Sequence, residues 1–164
     1  MIGSPRVFQT APPQPWSKAA EQYWILMGRH FGLDTTVLRY FNTYGPNQTP
    51  TPYVGVITIF INRLLRGEAP VVFGDGEQRR DFVHVDDVVA ANLAVLDHDC
   101  AGRVLNVGTG NATSVNDIAA ALVQRLAPQL RPRHAPAVEG EMRNAIADAS
   151  ELRRLTGWQP ARPR

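Results

Sequence analysis

Cysteine and lysine are almost missing from this chain: among its 164 residues Cys100 is the only cysteine and Lys18 the only lysine. A single thiol excludes an intramolecular disulfide, and with it the stapled frameworks of small secreted domains. Long apolar runs are missing too. None approaches the roughly 18 residues that a membrane span requires, and the opening residues carry no apolar stretch of signal-peptide type. The sequence therefore points to the cytoplasm and to no membrane partner. Net charge is small, +2. Because lysine is so scarce, 16 of the 17 basic residues are arginine, and eight of them fall between Arg125 and Arg164. They stand singly or in pairs, with none of the usual nucleic-acid motifs around them, so nucleic acid is not expected as a partner. They read either as a solvated arginine-rich tail or as planar forks for an anionic ligand. His30, His84, His98 and His134 are too dispersed to form a metal set.

What is present is an alternation of helical and strand patterns. The stretch up to Pro15 is proline-rich coil. A helix is expected from Ser17 to Gly32, with Ala19, Tyr23, Leu26, Met27 and His30 on one face. Residues 35–41 (TTVLRYF) are β-branched and aromatic, a strand, and a long loop is expected from Asn42 to Pro52. The stripe Ile57, Phe60, Ile61 and Leu64 marks a helix that ends at Gly67. Pro70–Phe73 and Arg80–Val85 read as strands around a turn at Gly74-Asp75-Gly76. Asp86-Asp87 opens a helix to about Asp97, the carboxylates favouring its positive end. A strand over Val104–Val107 leads through a loop to Ser114, where a capping box opens a helix with Val115, Ile118, Ala119, Leu122 and Leu126 inward. The last 35 residues are expected to hold one short helix, from near Asp148 to Gly157. Such alternation argues for an α/β fold with parallel pairing, and no internal repeat or linker interrupts it. The strands are too few for a complete doubly wound sheet. They suit the last strands of a partial Rossmann-like sheet plus a small α/β substrate-binding lobe.

Four segments then carry a specific resemblance. Arg39-Tyr40-Phe41-Asn42-Thr43-Tyr44-Gly45-Pro46 resembles the R-Y-F-N-x-Y-G-P signature of UDP-glucose 4-epimerases and related sugar-nucleotide dehydratases. The segment from Gly74 to Val88 (GDGEQRRDFVHVDDV) is similar to their G-D-G-x-Q-x-R-D-F-V-H-V-D-D-V. Leu105-Asn106-Val107-Gly108-Thr109-Gly110 resembles Y-N-V-G-T-G, and Arg143 through Pro160, with Asp148 and Gly157-Trp158-Gln159-Pro160, resembles R-x-x-x-x-D…L-G-W-x-P. Each motif alone is weak, but four in order are strong. They identify the chain as a carboxy-terminal part of the NAD-dependent epimerase/dehydratase family, within the extended short-chain dehydrogenases.

The resemblance implies a set of roles. The family's G-x-x-G-x-x-G loop for NAD would lie upstream of Met1. The nearest substitute here, Gly108-Thr109-Gly110, has Thr113 at the third glycine position and no acidic residue about 20 positions on, so it fails as a dinucleotide fingerprint. Ser17-Lys18-Ala19-Ala20-Glu21 resembles the family's S-K-x-x-x-E, which makes Lys18 the lysine of its Y-x-x-x-K pair and, with Phe41, a cofactor-side residue. Four positions before Lys18 stands Gln14, whose amide cannot serve as the general base that a tyrosine phenolate would be. On the substrate side, Asn42 matches a residue near the diphosphate, Phe73 an aromatic on the base, Arg80 the diphosphate arginine, and Arg143 a second phosphate or ribose contact. Each has a structural alternative: Asn42 could serve loop carbonyls, Phe73 the core, Arg80 a salt bridge to Asp81 or Asp86, and His84 packing within its strand.

The expectation is therefore a nucleotide-sugar-binding portion, UDP- or dTDP-linked, of a 4-epimerase-like enzyme that is inactive as an isolated chain and does not bind the family's NAD by itself. The rival class is a non-enzymatic chain that forms a homo-oligomer or docks on an intact homologue.

Overall fold

The computed structural model describes residues 15–49 and 54–161. Gln14 lies outside them. The first helix, α1 (Pro15–Phe31), begins two residues earlier than its sequence pattern suggests. Proline suits a first turn because its missing N–H has no partner there anyway. Strand β1 (Val37–Tyr40) follows, then β2 (Asn42–Tyr44), within the stretch expected as loop. Helix α2 (Val56–Leu65) buries Phe60 and Leu64, and Gly67 terminates it at a φ of 74°, where a side chain would be strained.

The strand expected over Arg80–Val85 is two strands. After β3 (Val71–Phe73) come β4 (Arg79–Arg80) and β5 (Phe82–His84), with Asp81 between them. The break has a pairing reason: β4 bonds to β7 (Thr113–Ser114) and β9 (Asn144–Ala145), whereas β5 lies parallel to β2. Asp81 is thus the hinge at which the chain passes from one sheet to another. Helix α3 (Val85–Asp97) is capped by His84, whose Nδ1 accepts the Asp86 N–H at 3.2 Å. Asp86 and Asp87 lie in its first turn, as their charge favours, but neither serves as its cap. Asp87 is buried, and its carboxylate accepts the Ala161 N–H at 2.9 Å while its carbonyl accepts the Trp158 indole N–H at 3.0 Å. These bonds pin the Gly157-Trp158-Gln159-Pro160 segment onto α3.

Strand β6 (Val104–Val107) runs parallel to β1, Leu38 opposite Leu105. Side chains alternate across β1. Leu38 enters a core with Val88, Ala91 and Val95 of α3, Val83, Leu105, Val107, Leu152 and Trp158. Arg39 points the other way, to α1, where its guanidinium grips buried Glu21 through two bonds of 2.7 Å. The expected capping box forms: the Ser114 hydroxyl accepts the Asp117 N–H at 3.0 Å, and the Asp117 carboxylate accepts the Ser114 N–H at 3.2 Å. It opens α4 (Val115–Leu126), whose buried residues are Val115, Ala119 and Val123. Leu126, expected inward, is exposed. Helices α2 and α4 pack over β3 and its parallel partner β8 (Arg133–Ala135), around Phe60, Val72, Val115 and Ala119. Helix α5 (Ser150–Thr156) ends at Gly157, φ 69°. The α/β architecture is therefore a parallel β1–β6 layer with a smaller α/β lobe beside it.

One face reads opposite to its pattern. On α1 the apolar stripe points outward, with Tyr23 56% and Leu26 64% exposed, and the inward positions are Glu21 and Gly28. Helix α3 carries a second outward pair, Val89 and Leu93. Among the described residues β1 has β6 as its only sheet partner, so its other edge is open to pairing. Apolar faces of this kind drive association. The chain is expected to self-associate at micromolar concentration; light scattering should give a mass above the monomer, and a clean monomer with a sharp cooperative melt would contradict this.

Candidate functional site

The site is organised by a carboxylate whose neighbours the sequence does not reveal. Asp81 is 0% exposed. One of its oxygens accepts the Thr109 N–H at 2.9 Å and the Thr109 hydroxyl at 2.6 Å; the other accepts the Gly110 N–H at 2.8 Å and the Ala147 N–H at 3.1 Å. A buried carboxylate requires such donors to offset its lost hydration. The packing is so close that a Cβ at Gly108 would lie 2.4 Å from the Ala147 Cβ and 2.8 Å from an Asp81 oxygen. Hence glycine at 108 is a matter of approach.

This knot also decides what the glycine turn after β6 can do. A pyrophosphate loop needs free N–H groups at a helix start. Here the Thr109 and Gly110 amides already serve a buried carboxylate, and an anionic ligand would meet its negative charge. The turn does not fit a dinucleotide pyrophosphate, and it holds β6 to the Asp81 hinge.

The main chain of Asp81 joins the first motif to the second. Its carbonyl accepts the Asn42 N–H at 3.0 Å and the Asn42 side-chain amide at 3.3 Å. Asn42 therefore does serve a carbonyl, and in doing so it stands at a strand end next to Arg80. Arg80 pairs neither with Asp81 nor with Asp86. Its guanidinium donates to Glu141 at 3.0 Å and to the Arg79 carbonyl at 3.0 Å. Arg79 sits exposed on the other side of β4, where its charge adds to the lowering of the Asp117 pKa that the Ser114 hydrogen bonds chiefly cause.

Beyond Glu141 lies a cleft of about 220 Å³, lined by Phe73, Asp75, Gln78, Val138, Glu141 and Arg143 among others. Phe73 is 48% exposed and so belongs to the cleft wall and not to the core. Gln78 is buried and donates to the Phe73 carbonyl at 3.1 Å. Arg143 grips Asp75 with two bonds, 2.7 and 2.8 Å, and this pairing is the main reason that the Asp75 carboxyl titrates low, at about 2. Phe73 and Arg143 thus line the cleft, Arg80 is joined to it through Glu141, and Asn42 is bonded to the carbonyl of Asp81, the residue after Arg80. Glu21 and Asp81 stand inside the sequence motifs but were assigned no site role there, and Glu141 lies outside every motif. For Glu141 no sequence signal existed, because its partner is 61 residues away.

Of the two cofactor-side candidates, Phe41 directly precedes Asn42 and Lys18 lies on α1. Phe41 is half-buried, and its N–H donates to the Val107 carbonyl at 3.0 Å. Lys18 is exposed on α1. It precedes the anchored Glu21 by three positions, against four in S-K-x-x-x-E. Glu21 itself is fixed on Arg39. His84 makes an edge contact with Tyr44, ring centres 5.3 Å apart, besides capping α3. No group of three metal-ligating side chains occurs among the described residues, and none of their helices is long and apolar enough to cross a membrane.

Comparison with known proteins agrees with this architecture. The NAD dependent epimerase/dehydratase family matches residues 15–108. A putative UDP-glucose 4-epimerase of Methanocaldococcus jannaschii is 38% identical over 85% of this chain and 45% of its own length. The UDP-glucose 4-epimerase of Mycolicibacterium smegmatis is 34% identical over 98% of this chain and 54% of its own. The crystal structure of a UDP-glucose 4-epimerase from Thermotoga maritima with UDP-glucose superposes with a TM-score of 0.82 at 41% identity, over 87% of this chain and 46% of that one. The chain belongs to the NAD-dependent epimerase/dehydratase family and carries its Rossmann-like fold. Within that family it is similar to UDP-glucose 4-epimerases, and it spans about half the length of the curated relatives that it matches.

Proposed function

We propose that residues 1–164 are a single unit, the carboxy-terminal nucleotide-sugar-binding portion of a cytoplasmic, 4-epimerase-like enzyme. Arg80 and Asn42 meet the diphosphate of a UDP- or dTDP-linked sugar, Phe73 packs on the base, and Arg143 offers its remaining N–H groups to ribose or phosphate. The observation that carries this reading is the junction at Asp81, which sets Asn42 and Arg80 at neighbouring strand ends, with Arg80 joined through Glu141 to an aromatic-walled cleft. A planar guanidinium suits two phosphate oxygens, and ligands of α/β sheets gather at strand ends.

NAD, in this family, supplies the hydride acceptor for oxidation at the sugar. This chain's glycine turn is committed to Asp81, Gln14 offers no base, and Lys18 stands as the off-register remnant of a catalytic pair. The isolated chain, given NAD and UDP-galactose, is expected to form no UDP-glucose above blank. Turnover by this chain alone would sink the inactive-fragment reading.

A second reading, a non-enzymatic chain that docks on an intact homologue, draws on the outward apolar faces of α1 and α3. It is favoured over the first if the chain copurifies with a homologue while binding no sugar nucleotide.

A further inference from the structure

The diphosphate arginine is not free in this fold: Arg80 is held by Glu141, from a strap between β8 and β9. Residues 136–142 are exposed throughout, and Gly140 bends the strap at a φ of 78°. The strap's own main chain contributes one bond, Glu141 N–H to the Val138 carbonyl at 3.3 Å. The Glu141 carboxylate accepts one further bond, from the Gln78 side-chain amide at 3.5 Å. Asp75, the carboxylate on Arg143, is fixed by two guanidinium bonds and also accepts the Glu77 N–H at 2.9 Å. Arg80 thus holds its carboxylate by a single guanidinium bond, Arg143 by two. We infer that Glu141 is a latch: an internal carboxylate that occupies Arg80 until a phosphate group displaces it, and so lowers the affinity of that site for anions.

Displacement costs every anion alike, because the Arg80–Glu141 pair must open before any phosphate can take the guanidinium. The latch therefore lowers the affinity of Arg80 for anions by one common factor and leaves the preference among them to the other contacts of the site. This inference rests on the reading of Arg80 as a diphosphate anchor.

The test is calorimetric titration of pyrophosphate and of orthophosphate into the full chain and its variants at low ionic strength. Glu141→Gln should tighten pyrophosphate binding roughly threefold to tenfold, the range left by losing a partly exposed ion-pair competitor. It should tighten orthophosphate binding by the same factor, leaving the preference between the two anions unchanged. Glu141→Ala should act in the same direction, which separates loss of charge from any new amide contact. Arg80→Ala should lose binding in either background. If Glu141→Gln binds pyrophosphate no better than the parent while Arg80→Ala still loses it, the latch is wrong and the anion site stands. If Arg80→Ala binds pyrophosphate like the parent, or nothing binds, the anion site itself fails and the latch with it.

Discussion

Asp81→Ala is expected to lower the melting temperature of this chain by roughly 10 °C or more, a shift that corresponds to about 3–5 kcal/mol for a domain of this size. The substitution removes an acceptor for four hydrogen bonds and leaves the Thr109, Gly110 and Ala147 N–H groups facing a cavity. Each such orphan costs on the order of 1–3 kcal/mol. Against a net stability of roughly 5–15 kcal/mol for a typical domain, the loss is a large fraction. Asp81→Asn should be nearly as damaging, because turning one oxygen into an NH₂ group sets donor against donor at Gly110 and Ala147. A thermal melt followed by circular dichroism is sufficient. A melt within about 2 °C of the parent, where one kcal/mol is worth roughly 2–4 °C, would mean that water replaces the carboxylate and that Asp81 is not the organising residue.

The second large effect falls on binding. Arg80→Ala should weaken sugar-nucleotide affinity roughly tenfold to a hundredfold, since a charge-assisted contact to diphosphate contributes on the order of 1.5–3 kcal/mol. Arg80→Lys should restore only part of it, because an ammonium lacks the planar fork. Arg79→Ala should change affinity little: Arg79 and Arg80 occupy opposite sides of β4, near Asp117 and Glu141 respectively. Equal losses for the two alanine variants in isothermal titration would reduce the contribution to general positive charge.

Local patterns made much of this fold legible. The spacing of Phe60 and Leu64, glycine at 67, and the Ser114–Asp117 box each depend on residues close in sequence, and each formed as expected. The misses share a cause, which is pairing between distant segments. β8 and β9 are short, polar stretches that become strands by lying beside β3 and β4. The break at Asp81 exists because two different sheets claim its two sides. The outward turn of Tyr23 and Leu26 was hidden because periodicity shows that a helix has an apolar face but not what that face meets. The site was legible in the same measure. Asn42, Phe73, Arg80 and Arg143 could be named from motifs, whereas the carboxylates that hold them, Glu141 and Asp75, are 61 and 68 residues from their partners.

The account turns on whether this half-length chain binds a sugar nucleotide at the cleft beside Arg80. Titrating UDP-glucose, then dTDP-glucose, into the purified chain by isothermal calorimetry measures that directly. Saturable binding of at least one of them, weakened roughly tenfold or more by Arg80→Ala, is the predicted result. No heat from either ligand with a chain that is folded by circular dichroism, or binding that Arg80→Ala leaves unchanged, would contradict it.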